Sequence, residues 1–224
     1  MSDDLELASP IAISLGRPAS WMGAQLACKR ALDLIGALLL IVFLSPVMLA
    51  AAVAVRLSSP GPVFFRQKRW GRGGIQFTCW KLRTMHLRQD HIVDPAMVRQ
   101  LQGKGVLLKL KNDPRVTRVG TFLRQTSIDE LPQLFNVVMG DMSLVGPRPL
   151  MTHMLDPYPE LCAERGLMRP GITGLWQISA RENNETALQM APYDLAYVRG
   201  FSLWTDLKIM ARTPAAVLFR QGAY

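Results

Sequence analysis

The chain has 224 residues, of which 49% are hydrophobic, and it carries a formal charge of +9. This length suffices for one domain with a buried core and is too short for two large domains. The charge suits a nucleic acid or an anionic membrane, but the sequence contains no RRM, KH, zinc-finger or helix-turn-helix signature and does not interleave basic with aromatic residues. We therefore expect no nucleic-acid partner.

The cysteines and histidines exclude further kinds of site. Cys28, Cys79 and Cys162 are widely spaced and form no CxxC pair, which is typical of a reducing compartment rather than a disulfide framework. The histidines lack the spacing of zinc ligands, and neither a Walker A sequence nor G-x-G-x-x-G is present. A structural zinc ion and a nucleotide-binding P-loop are not expected.

Three regions follow one another along the chain. Residues 1–20 begin acidic, contain two prolines and show no sustained period, so we expect a mobile tail. Residues 21–56 include the uncharged, apolar run 34–55, which has the length of a membrane segment. Residues 57–224 form the expected cytoplasmic domain.

Ser45 and Pro46 fall near the middle of the membrane segment. Proline removes a helical hydrogen bond and bends the helix, leaving arms of about ten to twelve residues, each about half a hydrocarbon core in length. Basic residues flank both ends, and the positive-inside rule then keeps both ends cytoplasmic. These features favour a re-entrant helix broken at Ser45-Pro46, while a single-pass anchor with a kink stays open. A cleaved signal peptide is disfavoured because the preceding region opens acidic.

The next predicted element is a β-hairpin, in which segments 62–69 and 75–83 flank the glycine-rich turn 70–74. The polar stretch 86–112 predicts a helix with a loop. Apolar residues at helical spacing then predict helices over 117–125 and 131–139.

Terminal helical structure is predicted over 192–198 and 202–219, with interruptions near Gly200 and Pro214. The last segment mixes large apolar residues with basic ones. It is either an interfacial amphipathic helix lying on the bilayer or a helix that packs into the core.

The stretch 124–134 carries the chain's most informative chemistry. Pro132 has no N–H and is tolerated only in the first turn of a helix, so a helix should begin close to residues 127–131. This places Asp129 and Glu130 at a helix N-terminus, where the macrodipole and free N–H groups favour ionised carboxylates and can also hold a phosphate. The pattern predicts a site for an anion, a metal ion or both.

A purely structural interpretation of the pair also exists, because Ser127-x-x-Glu130 matches a capping box. The sequence Pro147-Arg148-Pro149 argues for function. The two prolines restrict φ on both sides of Arg148, whose guanidinium is suited to bidentate phosphate recognition. An arginine needed only for solubility would not require this rigid setting.

Four motifs carry a family resemblance: DELPQLFNVVMGDMSLVGPRP (129–149), KLRTM (81–85), DPRVTRVGTFLR (113–124) and RPGITGLWQISAR (169–181). Together they resemble the bacterial sugar transferases, the monotopic polyprenyl-phosphate phosphoglycosyl transferases, from about residue 29 to the end. The chain is most similar to members that start exopolysaccharide repeat units with a hexose.

The resemblance implies an α+β fold, in which a re-entrant membrane helix precedes a small, largely helical catalytic domain with a β-hairpin and interfacial amphipathic helices. It implies transfer of a hexose 1-phosphate, from UDP-glucose or UDP-galactose, to polyprenyl (undecaprenyl) phosphate, with release of UMP and a covalent aspartyl phospho-sugar intermediate. The expected location is the cytoplasmic face of a bacterial inner membrane, against anionic lipid. A homo-oligomer and polysaccharide assembly proteins are further candidate partners.

The motif matches also imply roles for individual residues. Asp129 would be the nucleophile, and Glu130, with Asp129 as a shared ligand, would hold Mg²⁺, a hard cation that uses few protein carboxylates. Arg124 and Arg148 would clamp the substrate phosphates.

Three more cations complete the expected site. Lys81 and Arg83 emerge from the second hairpin strand and either add positive charge to the same cleft or contact lipid headgroups. Arg181 closes the segment 169–181 and is a candidate contact to the nucleotide or sugar.

The alternative function is a non-catalytic, membrane-anchored scaffold or regulator of a polysaccharide assembly complex. The intact set of Asp129, Glu130, Arg124 and Arg148 argues against it, because a scaffold has no need of a nucleophile between cations. Release of UMP from a UDP-sugar would discriminate between the two.

Overall fold

The computed structural model describes residues 19–87, 113–179 and 186–218. The protein combines helices with small sheets and begins with one long apolar helix, α1 (Ala19–Ser58). Most of the predicted tail and most of the polar stretch 86–112 lie outside the described residues.

Helix α1 has the length and composition of a membrane segment. Its 40 residues correspond to about 60 Å at 1.5 Å per residue. The mean hydropathy of its most apolar window is 2.8, and only 11% of that window is buried. Large apolar side chains along its middle are exposed, among them Leu39, Phe43 and Leu49. An exposed apolar surface of this extent is typical of a membrane or protein interaction site.

The chain stays helical through Ser45 and Pro46, so the predicted break does not take the form of an interruption of the helix. Pro46 has no N–H to donate to the carbonyl of Val42, four residues earlier. The hydroxyl of Ser45 donates to that same carbonyl at 2.8 Å. The serine thus satisfies the acceptor that the proline leaves, and the helix continues.

The predicted β-hairpin is confirmed. Strands β1 (Phe64–Trp70) and β2 (Gln76–Leu82) pair antiparallel along their whole length. The connection contains a short 3₁₀ turn (Arg72–Gly74), in which Gly73 has a φ of 65°, a conformation that favours glycine. Trp70 belongs to the first strand rather than to the turn.

The remaining elements form the body of the protein around this hairpin. Helices α2 and α3 confirm the two helices predicted near residues 117–125 and 131–139, and strands β3 and β4 pair in parallel. The elements are α2 (Arg118–Thr126), α3 (Gln133–Met139), β3 (Ser143–Val145), α4 (Thr152–Leu155), α5 (Pro159–Arg165), β4 (Gly171–Thr173), α6 (Leu175–Ser179), α7 (Ala187–Arg199) and α8 (Leu203–Leu218).

The β3–β4 pair brings two loops into backbone contact. A Cβ atom on Gly146 would lie 2.3 Å from the carbonyl oxygen of Arg169, and one on Gly171 would lie 2.1 Å from the nitrogen of Gly146. Neither distance is compatible with a side chain. Glycine at both positions therefore allows the loop before Arg148 to lie directly on the segment that enters β4.

The terminal helices differ from their predicted bounds. Helix α7 begins earlier than predicted, behind a capping box at Thr186, and the predicted interruption near Gly200 separates α7 from α8. The predicted interruption at Pro214 is wrong, because α8 continues through it. Ile209 is buried, whereas Trp204 is 65% exposed. Helix α8 therefore packs one face into the core and leaves another exposed.

Both parts of α1 pack against the same body. Ala37, in the first part, is buried in a cluster with Leu134 of α3. Val55, near the end, is buried in a cluster with Leu82 of β2 and Leu123 of α2. The exposed middle of α1 thus lies between two stretches that the rest of the protein holds.

A buried polar cluster fixes the first part of α1. Lys29 Nζ donates to Asp206 Oδ2 at 2.6 Å and to the carbonyl of Val145 at 2.9 Å. Tyr197 donates its hydroxyl to Asp206 Oδ1 at 2.7 Å. Burial raises the pKa of Asp206, and the Lys29 ammonium opposes that shift. Because Val145 ends β3, this cluster ties α1, α7 and α8 to the loop that carries Arg148.

Candidate active site

Asp129 and Glu130 lie in a 3₁₀ turn (Ile128–Glu130) between α2 and α3. Ser127 precedes the turn with a φ of 56°, and it is the only non-glycine residue with positive φ among those described. Such left-handed geometry in a residue other than glycine is uncommon and clusters at functional sites. Here Ser127 is the C-cap of α2 and leads directly into the turn that carries the two carboxylates.

Helix α3 begins later than predicted. The Asp129–Glu130 pair precedes α3, and Pro132 is the N-cap of α3 rather than part of its first turn. The capping box is not formed, because Ser127 makes no side-chain cap hydrogen bond. The reason is the left-handed conformation of Ser127, whereas an N-cap residue usually has an extended backbone. The capping-box interpretation of Glu130 is therefore wrong.

Lys81 lies beside Glu130. Of the two positions predicted for Lys81, this is the one in the cleft rather than at the lipid headgroups. Its Nζ lies 2.6 Å from Glu130 Oε1, and both side chains are only partly buried. Asp129 itself is 8% exposed. Lys81 and Glu130 line a small cleft, whose lining also includes Arg69, Cys79, Gln133, Arg148, Pro149 and Ile172.

Arg124, at the end of α2, is held close to Asp129. Its Nε donates to Thr84 Oγ1 at 2.9 Å. Burial lowers the pKa of Arg124, while the negative charge of Asp129 acts in the opposite direction. Arg124 thus places positive charge near Asp129, while its role at a substrate phosphate stays a prediction.

Arg148 lines the cleft. Contacts with other elements, in addition to its two neighbouring prolines, hold it there. Its guanidinium lies over the ring of Trp176, 4.7 Å from the ring centroid. Its backbone N–H donates to Asp194 Oδ1 at 3.3 Å, and its carbonyl accepts from Arg165 at 2.6 Å. The structure therefore brings Arg148 together with Glu130 in one cleft.

The two remaining predicted cations are Arg83 and Arg181. Arg83 lies just past β2, and its guanidinium donates to the carbonyls of Ser59 and Pro60, which follow α1. It is 4% exposed, so it secures the exit of α1 instead of adding charge to the cleft or contacting lipid headgroups. Arg181 lies outside the described residues.

Arg69 was not singled out from the sequence, yet it lines the cleft. Its guanidinium donates to the carbonyl of Pro149 at 2.8 Å and to Gln67 Oε1 at 2.6 Å. Burial is the main cause that lowers the pKa of Arg69 to about 10, and the nearby charge of Arg148 adds to it. The two-residue period of the hairpin offers a signal, because it puts Arg69 on the same face as Lys81.

The adjacent carboxylates of Asp129 and of Glu130, which lines the cleft, fit a hydrated Mg²⁺. No group of three or more histidine, cysteine or acidic side chains converges on a metal position among the described residues. Asp129 and Glu130 alone are nevertheless sufficient, because Mg²⁺ usually takes one or two protein carboxylates and completes its coordination with water and substrate phosphates. Lys81 contacts Oε1 of Glu130.

Known proteins resemble this chain over most of its length. The family model for bacterial sugar transferases matches residues 24–220. The chain is 47% identical over 204 residues to the UDP-glucose:undecaprenyl-phosphate glucose-1-phosphate transferase of Caulobacter vibrioides, covering 88% of this chain and 72% of that protein. It is 41% identical over 209 residues to the protein of the same name from Escherichia coli, covering 90% and 42%.

A galactose-specific name occurs among the relatives too. The undecaprenyl-phosphate galactose phosphotransferase of Salmonella typhimurium is 38% identical over 199 residues, which cover 88% of this chain and 41% of that protein. The chain thus spans most of the Caulobacter protein but about two fifths of the other two. The match of the family model to nearly the whole chain is decisive: the protein belongs to the bacterial sugar transferase family.

Proposed function

We propose that the protein transfers a hexose 1-phosphate from a UDP-sugar to polyprenyl phosphate and releases UMP. The observation that carries this proposal is the cleft in which the Asp129–Glu130 turn meets Lys81 and Arg148. The names of the relatives, which specify UDP-glucose, galactose and undecaprenyl phosphate, support the same substrates. Polysaccharide assembly proteins and a second copy of the chain are candidate partners.

The reaction proceeds in two displacements. A carboxylate oxygen of Asp129 attacks the phosphorus that carries the sugar, the bond from that phosphorus to the UMP oxygen breaks, and UMP leaves with the electron pair. An oxygen of polyprenyl phosphate then attacks the aspartyl phosphorus, and the bond to Asp129 breaks. The product is a polyprenyl diphospho-sugar, and Asp129 is regenerated.

The cations of the cleft make this attack feasible, because a carboxylate and a diphosphate repel each other. Arg124 stands next to Asp129, and Arg148 and Lys81 line the cleft. Arg69, which also lines the cleft, adds further positive charge. Mg²⁺ held by Asp129 and Glu130 would neutralise charge on the phosphates.

A re-entrant position of α1 completes the proposal. Ala37 and Val55 pack on one body, although they lie about 27 Å apart along a straight helix. A helix crossing the bilayer would put its two ends on opposite sides, and one body could not hold both. We place both ends at the cytoplasmic face of the bacterial inner membrane, with the exposed middle of α1 in the lipid.

Cysteine labelling tests this topology. In a chain without the three native cysteines, Ser20→Cys and Leu57→Cys are expected to react with a membrane-impermeant maleimide only from the cytoplasmic face, because both ends of α1 lie there. Leu57 is 81% exposed and thus accessible to the reagent. Labelling of the two positions from opposite faces would establish a spanning helix and contradict the re-entrant placement.

Arg148→Lys tests the phosphate clamp. A point charge replaces a planar guanidinium that lies over Trp176, so we expect a loss of about 1–3 kcal/mol of transition-state stabilisation, measured as kcat/KM for UMP release. Arg66→Lys is the matched control, because Arg66 also stacks on a tryptophan, Trp80, but on the other face of the hairpin. An Arg148→Lys protein as active as the control would show that the guanidinium geometry is not used.

The overall function is tested by incubating the membrane-reconstituted protein with polyprenyl phosphate and either UDP-glucose or UDP-galactose. We expect UMP release that depends on the lipid acceptor, with one of the two sugars preferred. Absence of UMP release with both sugars, in a folded and membrane-bound protein, would favour the scaffold function instead.

A further inference from the structure

A buried ion pair lies directly behind Arg148. Arg165, at the end of α5, donates from Nε at 3.0 Å and from a terminal nitrogen at 2.7 Å to Asp194 Oδ2 on α7. The two side chains are only 5% and 1% exposed. Placing two charges in the interior carries a desolvation penalty, and replacing such a pair by apolar residues is often neutral or stabilising. Stability alone therefore does not explain the pair.

Both members of the pair also hold the backbone of Arg148. Arg165 donates to the Arg148 carbonyl at 2.6 Å, and Asp194 Oδ1 accepts the Arg148 N–H at 3.3 Å. Because Pro147 and Pro149 have no N–H, this N–H is the only backbone donor of the three-residue segment. The single N–H donor thus binds the buried carboxylate of Asp194, and the Arg148 carbonyl accepts from Arg165, the ion-pair partner of Asp194.

We propose that Arg165 and Asp194 are positioning residues that set the direction in which Arg148 presents its guanidinium to a substrate diphosphate. This inference rests on the proposed function of the cleft. The pair touches no substrate itself and acts through Arg148. Because a misplacement of about 1 Å can reduce a rate about 100-fold, fixing the backbone at this point has a large effect on transfer.

The structure offers a matched control for the simple role of joining two helices. Arg199 and Glu164 form a second ion pair between α7 and α5, with Nε and Oε1 at 2.7 Å. Arg199 is 60% exposed on its side chain, and the pair makes no contact with Arg148 in the hydrogen bonds that the described residues show. Any effect of linking α5 to α7 should appear in both pairs.

The experiment is a double-mutant cycle in the full-length, membrane-reconstituted protein. The apolar replacement Arg165→Met with Asp194→Leu preserves packing while removing the bonds to Arg148. It is combined with Arg148→Ala, and each protein is assayed for UMP release and for binding of UDP, with the melting temperature recorded. The control replaces Arg199 by Met and Glu164 by Leu.

We expect the apolar pair to lower kcat/KM and UDP affinity, with a kcat/KM loss of about 100-fold when Arg148 is present, and to change either quantity by no more than about twofold when Arg148 is alanine. The control pair should leave both quantities unchanged. Equal losses with and without Arg148, or an equal loss in the control, would overturn the positioning role.

If the apolar pair does not fold, the double-mutant cycle is repeated with Arg165→Lys in its place. Lysine keeps the charge beside Asp194 but lacks the planar group that spans Asp194 and the Arg148 carbonyl. If the wild-type protein binds UDP with the expected coupling but releases no UMP, the positioning role is supported while the proposed transfer reaction is contradicted.

Discussion

Replacement of Asp129 by asparagine is expected to abolish transfer, lowering kcat by about 10³-fold or more. The amide keeps the shape of the side chain but cannot attack phosphorus, so no covalent intermediate can form. Asparagine is close to isosteric with aspartate, so the fold should persist even though Asp129 is only 8% exposed in a short turn. The measurement is UMP release in reconstituted membranes, with membrane association and melting temperature compared with the unchanged protein.

Asp156→Asn is the control for this variant. Asp156 is exposed and accepts a hydrogen bond from Trp70 Nε1, a bond that an amide oxygen can also accept. It should retain full activity. Near-normal activity of Asp129→Asn would remove Asp129 from the mechanism, whatever the control shows.

Replacement of Glu130 by glutamine is expected to have the second largest effect. The change removes a proposed Mg²⁺ ligand and also the carboxylate that Lys81 contacts at 2.6 Å. We expect a decrease in kcat of about 10²-fold, because stabilisation of phosphoryl charge by a metal ion contributes several kcal/mol. The measurement is UMP release as a function of Mg²⁺ concentration.

The metal dependence separates two roles of Glu130. If Glu130 is a ligand whose geometry matters, activity recovers poorly at high Mg²⁺. Full recovery would mean that Glu130 only tunes the affinity for the metal. Glu160→Gln, at an exposed position on α5, controls for the loss of one negative charge and should leave the Mg²⁺ dependence unchanged.

Short sequence patterns were sufficient to predict the elements that form through interactions between residues close in sequence. The hairpin follows from strand alternation around a glycine-rich turn, and α2 from helical spacing behind its N-cap, Thr117, whose side chain accepts from the Gly120 N–H. Proline misled at Pro214, through which α8 continues. At Pro46 the chain also stays helical, and Ser45 donates to the carbonyl of Val42, while the predicted bend there stays a prediction.

The candidate site was predictable only where its residues share a short stretch of sequence. Asp129, Glu130 and Arg148 could be singled out, because adjacent carboxylates and flanking prolines are visible in the sequence. The hairpin period puts Arg69 on the face of Lys81 but does not reveal its contact with Pro149, 80 positions away, and no pattern reveals the contact of Asp194 with Arg148, 46 positions away. Such distant contacts depend on how the elements pack, which no local pattern specifies.

The arrangement of α1 connects the membrane with the chemistry. Lys29 donates to the Val145 carbonyl, and the next residues are Gly146, Pro147 and Arg148. At its other end, α1 is followed by the carbonyls that Arg83 binds, just past β2. Helix α1 is thus attached to the segment that leads to Arg148 and to the end of the strand that carries Lys81, which suits a reaction between a soluble nucleotide sugar and a lipid phosphate.

The central claim is that Asp129 becomes covalently attached to the sugar phosphate. It is tested most directly by mixing the protein with UDP-glucose or UDP-galactose, without lipid acceptor, and measuring the intact mass after rapid acid quenching. We predict a mass gain of one hexose phosphate, located on the peptide that contains Asp129 and lost when polyprenyl phosphate is added before the quench. UMP release on addition of the acceptor, with no adduct at any time before it, would contradict the covalent mechanism.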